Sequence, residues 1–208
     1  MEAGGAKETS RIEAFSDGVF AIAITLLVLE LRVPEKADDL HLPSALLALW
    51  PSYAGFTISF LTILIMWMNH HRMFKLLRGT DERLVCANGL LLLAVTFVPF
   101  PTGVLAEHLT GPAAAPSALF YSGTFVFISL CFNALWWTMR RRNGILMIEL
   151  SPQEKRLISI QYACAPLLYM AAALLAHVNV SACIIANLLL ALFFAVPGKV
   201  TQQAEAKP

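Results

Sequence analysis

Long apolar runs alternate with short polar segments along the whole chain. Six of the runs approach or exceed the roughly 20 residues that a helix needs to cross a bilayer. Their approximate bounds are 12–32, 44–68, 84–106, 117–139, 156–176 and 178–196. The connecting segments are too short for a soluble domain. The pattern therefore predicts an all-α integral membrane protein, with one six-helix transmembrane domain over residues 1–208.

Composition supports the membrane assignment. The chain is 58% hydrophobic and 14% charged, whereas soluble domains carry about 25% charged residues. A net charge of +1, with no basic block that alternates with aromatic residues, argues against a nucleic-acid partner. The expected partners are membrane lipid, monovalent cations and further copies of the chain.

The basic residues fall on one side of the predicted membrane. If the N-terminus is cytoplasmic, Arg32 and Lys36 alone among the 15 basic residues lie outside. The acids Glu35, Asp38 and Asp39 lie on the same outer side. The positive-inside rule predicts this asymmetry for an even number of spans. We therefore expect a multi-pass protein of the plasma membrane with both termini in the cytoplasm.

The first span begins with a polar base and continues as an uncharged apolar run. The base contains Arg11, Glu13, Ser16 and Asp17, and no charge follows from Gly18 to Leu29. A carboxylate near hydrocarbon is costly unless it is paired, so such residues usually mark a buried network, an ion pathway or a counter-ion site. This segment is the first candidate for function.

Helical periodicity separates the apolar and acidic positions of the first span. At about 100° per residue, one narrow apolar stripe forms, with Thr25 beside it and Asp17 about 140° away. The stripe consists of Phe15, Ile22, Leu26 and Leu29. Periodicity alone permits lipid exposure, core packing or a hydrophobic constriction that lines a pore.

The second span ends in WMNHHRMF, which offers polar partners for the base of the first span. An indole N–H donates, and histidine donates or accepts. These groups predict a network of Arg11, Ser16, Asp17, Trp67 and His70. His70 and His71 point about 100° apart on a helix, and no further ligand pattern completes a metal shell. No metal site is expected, although the histidine pair could act as a pH sensor instead of a structural element.

The third span carries VPFPT, in which Pro99 and Pro101 remove two backbone donors. A kink or an early helix end is expected there. Neighbouring helices or water must satisfy the carbonyl groups that the prolines leave free.

Together, RIEAFSDGVFAIAITLLVLEL, WMNHHRMF and VPFPT resemble the prokaryotic branch of the transmembrane protein 175 family of cation channels. The specific motifs cover about the first 105 residues, and the second half agrees in spacing and hydrophobicity. The resemblance implies a potassium-selective channel without a TVGYG filter, a sequence that is absent here. It also implies a homotetramer, because this chain has one six-helix repeat.

The resemblance assigns roles within the first helix, which lines the central pore in such channels. It places the narrow aliphatic constriction at Ile22, further pore layers at Leu26 and Leu29, and a threonine linked with selectivity at Thr25. The base of the helix would be held through contacts with the second span. These contacts would join Arg11, Phe15, Ser16 and Asp17 to Trp67 and to His70 or His71. Apart from the permeant K⁺, no cofactor is implied.

Two other classes of function compete with a channel. A proton-coupled secondary transporter could use Asp17 and His70, although the two halves of the chain show no inverted repeat. A membrane enzyme would need a catalytic set at one depth. Neither a Ser-His-Asp arrangement nor an H-E-x-x-H motif is present, so we expect no enzymatic activity.

Overall fold

The computed structural model describes residues 2–32, 41–141 and 150–196, with side chains from Glu8 onward. Helix α1 continues into a 3₁₀ turn, Leu27–Glu30, and a second 3₁₀ turn, Leu175–His177, follows α7. The α-helices are α1 (Glu2–Leu26), α2 (Leu42–Ala48), α3 (Trp50–Phe74), α4 (Glu82–Thr96), α5 (Pro99–His108), α6 (Ala114–Arg141), α7 (Pro152–Leu174) and α8 (Val180–Ala195).

The described residues contain five helical segments that are long and apolar enough to cross a membrane. They are Glu8–Glu30, Trp50–Phe74, Glu82–His108, Ala114–Arg141 and Pro152–His177. Helix α8 is a shorter apolar helix, in the place of the sixth predicted span. The predicted all-α membrane architecture is confirmed.

The second span begins later than its apolar run suggests. Position 44 falls in the separate helix α2, and α3 begins at Trp50 with Pro51 in its first turn. Proline fits there because the first helical N–H groups have no intrahelical partner. Helix α3 then continues to Phe74, so WMNHHRMF forms its last two turns. All the polar side chains of this motif are therefore carried by a rigid helix.

The predicted break in the third span is present. Helix α4 ends at Thr96 and α5 begins at Pro99. The two carbonyls that the prolines leave without a donor accept instead from N–H groups three residues further on, Val98 to Val95 at 3.1 Å and Phe100 to Phe97 at 3.2 Å. Tighter backbone bonds between residues three apart therefore supply the donors that the two prolines remove.

Buried hydroxyl groups join the helices at the centre of the bundle. Ser59 of α3 is 2.8 Å from the hydroxyl of Thr102 and 3.0 Å from that of Tyr121, which lies on α6. At the next residue of α6, Ser122 accepts from Asn187 of α8 at 2.8 Å. These contacts join α3, α5, α6 and α8 to one another, and α1 packs against α3, α4 and the edge of α5.

Candidate functional site

Helix α1 has one face against the bundle and one face open. Phe20, Ala23 and Leu27 are buried, whereas Ile22 is 57% exposed and Leu29 is 69% exposed. The open face also includes Phe15, Gly18, Thr25 and Leu26. Spacings of three and four residues keep these positions on one side of a helix. The apolar stripe predicted from periodicity is therefore continuous and uncovered within a single chain.

Two side-chain contacts join the base of α1 to the end of α3. The indole Nε1–H of Trp67 donates to Oδ1 of Asp17 at 2.8 Å. One turn further, Nδ1 of His71 lies 2.7 Å from Oε1 of Glu13. The Trp67 and His71 rings are stacked, with centroids 5.8 Å apart. Because both pairs are four residues apart on their helices, they form two successive rungs between α1 and α3.

A third, fully buried contact passes through α4. Nδ2 of Asn88 donates to the Ser16 hydroxyl at 2.9 Å, and Oδ1 of Asn88 lies 2.8 Å from Nε2 of His70. Ser16, His70 and Asn88 are 0%, 0% and 3% exposed. We call these three residues the buried bridge.

The direction of every hydrogen bond in the buried bridge follows from one proton. The Ser16 hydroxyl donates its single hydrogen to the carbonyl of Ile12 at 2.8 Å, so it can only accept from Asn88. The amide nitrogen of Asn88 must therefore face Ser16, and its oxygen must face His70. His70 then carries a proton on Nε2 and donates it. The bridge specifies one tautomer of the histidine and one orientation of the amide.

Aromatic packing holds the His70 ring in place. Its centroid lies 4.2 Å from that of Phe74, with which it stacks, and 5.3 Å from that of Phe20 on α1. Nδ1 of His70 is buried without a hydrogen-bond partner in the described part of the chain. The His70 ring is therefore packed between two aromatic rings, and its single described hydrogen bond is to Asn88.

The structure brings together most of the predicted base residues, but not all of them. Arg11 and Phe15 are exposed, and within the described residues neither side chain contacts Trp67, His70 or His71 through a hydrogen bond or ring contact. Phe15 extends the open stripe, where its helical angle also places it. Thr25 lies on the open face, and its hydroxyl donates to the carbonyl of Ile22 at 2.9 Å. The lone pairs of Thr25 Oγ1 remain available to a cation or water.

Two contacts of the site, those of Asn88 and Glu13, were not predicted from the sequence. Asn88 stands alone in the apolar run VCANGLLLLAV, and an isolated polar residue in a span is itself a signal of function. Glu13 pairs with His71, although the partners expected for Trp67 and the histidines were Arg11, Phe15, Ser16 and Asp17. Glu13 precedes Asp17 by one helical turn, so both acids face α3.

The site is organised for positioning and shows no arrangement for metal binding. Among residues 2–32, 41–141 and 150–196, no three His, Cys, Asp or Glu side chains converge. Glu13, Ser16 and Asp17 of the α1 base each make a side-chain contact with α3 or α4. The arrangement holds one face of α1 rigidly and leaves the opposite apolar face free.

Comparison with known proteins places the chain in a family. The family described as "Endosomal/lysosomal potassium channel TMEM175" matches residues 11–99. A potassium channel of Chamaesiphon minutus is 47% identical over 198 residues, which cover 94% of this chain and 98% of that protein. A potassium channel of Streptomyces collinus is 42% identical over 188 residues, covering 90% of this chain and 91% of that protein.

The fold agrees with this relationship. The crystal structure of a lysosomal potassium-selective channel TMEM175 homolog from Chamaesiphon minutus superimposes with a TM-score of 0.80. The match has 47% sequence identity and covers 91% of this chain and 97% of that chain. The chain therefore belongs to the TMEM175 family.

Proposed function

We propose that this chain is one subunit of a homotetrameric channel that passes K⁺ down its gradient across the plasma membrane. The observation that carries the proposal is the open apolar face of α1, opposite a face fixed to the bundle by three polar contacts. A helix held on one face and open on the other can line a pore with its open face. One stripe cannot enclose a path by itself, so several copies related by cyclic symmetry are needed.

In the proposed pore, Ile22 forms the constriction and Leu26 and Leu29 form further apolar layers. A ring of aliphatic side chains closes a pore by its narrow bore and by excluding water. With a ring of isoleucine side chains at the narrow point, selectivity cannot come from carbonyl coordination. It would arise from bore size, from the cost of removing hydration water and from the Thr25 hydroxyl dipoles.

The relatives support K⁺ as the permeant ion. Both bacterial relatives are named potassium channels and align over almost their whole length. The motif residues of α1 and α3 lie inside the region that the family match covers. The proposal extends that activity to this chain, with lipid and sibling subunits as its partners and no enzymatic step or cofactor.

A proton-coupled transporter built on Asp17 and His70 receives less support from the geometry. Asp17 accepts a hydrogen bond from Trp67, and Nε2 of His70 is bonded to Asn88. No hydrogen bond joins Asp17 to His70 in the described part of the chain. Both groups are committed to contacts between helices, which suits a fastening role better than proton exchange.

Reconstitution into liposomes tests the proposal. We expect the purified protein to run as a tetramer and to carry a K⁺ flux that follows the K⁺ gradient without a pH gradient. Valinomycin added at the end of the assay supplies the control for vesicle integrity. Absence of flux from folded tetramers would contradict the channel. Saturable uptake that requires a proton gradient would instead favour the transporter.

A further inference from the structure

Glu30 is an acidic side chain at the end of α1 opposite the polar base. It closes the 3₁₀ turn that continues α1 and directly follows Leu29, the last layer of the open stripe. Its spacing from Ala23 and Leu27 places it on the bundle-facing side, where it is partly buried. In the proposed topology this is the extracellular end. Glu30 therefore lies about one helix diameter, roughly 10 Å, behind the lining of the pore.

A glycine on α5 makes room for this carboxylate. Glu30 Oε2 lies directly against Gly103, and an added Cβ at that position would overlap it and stand 2.8 Å from Cδ of Glu30. No positive φ requires a glycine here. The absence of a side chain at position 103 instead allows the close approach of the acid. The carboxylate is thus held at a defined place behind Leu29.

No described group forms a hydrogen bond or an ion pair with the Glu30 carboxylate. This holds among residues 2–32, 41–141 and 150–196. The Glu30 oxygens are not fully buried, so they remain accessible to water. The carboxylate borders a cavity of about 430 Å³, which Arg32, Ser52, Glu107 and Thr110 also line. Arg32 lies on the same cavity but makes no ion pair with Glu30.

We propose that Glu30, held against Gly103, sets the cation-attracting potential at the extracellular mouth and so determines the inward K⁺ conductance. This inference rests on the proposed channel function and on its fourfold assembly. Acidic groups around a pore entrance raise the local concentration of cations. The distance of roughly 10 Å from the four carboxylates to the pore lining is close to the Debye length of physiological salt, about 8 Å. Their potential in the pore should therefore increase as the salt concentration falls.

Single-channel recording of Glu30→Gln tests the inference. In symmetrical 20 mM KCl we expect the inward conductance to fall about threefold, with little change in the outward conductance. In 1 M KCl the Debye length is about 3 Å, and the difference between variant and wild type should disappear. Arg32→Gln removes the positive charge on the same cavity and should raise the inward conductance at low salt.

Two controls make the assignment specific. Glu82→Gln removes an exposed acid at the start of α4, at the opposite end of the bundle, and should leave the inward conductance unchanged. Gly103→Ala keeps the Glu30 charge but displaces the carboxylate, so it should alter the inward conductance in the wild type and not in Glu30→Ala.

Equal loss of inward and outward conductance in Glu30→Gln, or no loss at low salt, would overturn the inference while leaving the channel intact. Absence of current from wild type would overturn the proposed function and this inference with it.

Discussion

Replacing Ile22 by Asn is expected to raise the K⁺ flux through reconstituted tetramers about tenfold, which corresponds to about 1.4 kcal/mol off the barrier. A ring of amide groups in place of the aliphatic ring would keep the constriction wet and supply oxygen atoms to the ion. The same change should reduce discrimination between K⁺ and Na⁺, because hydration would no longer have to be removed. Flux assays with either cation as the sole permeant ion measure both effects.

The matched control is Leu167→Asn, which introduces the same side chain at a strongly exposed apolar position of α7. It should leave flux and selectivity unchanged, since α7 is not part of the proposed lining. Ile22 is exposed within one chain, so its replacement should not disturb the packing of the subunit. Unchanged flux in Ile22→Asn tetramers would remove Ile22 as the constriction.

Replacing Asn88 by Ala is expected to destabilise the folded subunit by about 2–4 kcal/mol. The change leaves Nε2–H of His70 without its acceptor and the Ser16 hydroxyl without its donor, both at fully buried positions. The unpaired His70 donor costs about 1–3 kcal/mol, and the lost bond to Ser16, whose hydroxyl still donates to the Ile12 carbonyl, adds about 1 kcal/mol. Thermal unfolding in detergent, followed by circular dichroism or fluorescence, measures the loss.

Asn69→Ala is the control for Asn88→Ala. The Asn69 side chain accepts only a long bond of 3.4 Å from Arg72 and is half-buried. Its removal should change stability by less than about 1 kcal/mol. If the two variants unfolded at the same temperature, the buried bridge would not be a stabilising element.

Periodicity predicted the two faces of α1 because a single helix determines them. Three- and four-residue spacings place Ile22, Leu26 and Leu29 together whatever the neighbouring helices do. The Asp17 to Trp67 contact was also predictable, since a carboxylate near hydrocarbon needs a donor and an indole at the same depth supplies one. Both features depend on local geometry or on the hydrogen-bonding needs of one group, so they can be inferred without knowing how the helices pack.

The buried bridge was not predictable in the same way. Asn88 meets Ser16 and His70 only because α4 packs beside both α1 and α3, and no spacing within α4 encodes that packing. The start of α3 was also missed, because the apolar run crosses the boundary between α2 and α3 without a change in hydropathy. Here Pro51 was the available signal.

The contact between Glu30 and Gly103 depends on the tertiary arrangement in the same way. More than 70 residues separate the two positions, and a glycine after VPFPT reads in sequence as part of the helix break. Only the packing of α5 against the end of α1 shows that its missing side chain makes room for an acid.

The central claim is that the open face of α1 lines the ion path, and thiol modification along α1 tests it most directly. The exposed Cys86 and Cys164 are first replaced by Ser. Single cysteines are then placed at the open positions 22, 25, 26 and 29 and, as controls, at the buried positions 23 and 27. We predict that a small cationic thiol reagent blocks the K⁺ current at the four open positions and not at the two buried ones. Current that persists in tetramers shown by mass spectrometry to be modified at Leu26→Cys and Leu29→Cys would contradict the claim.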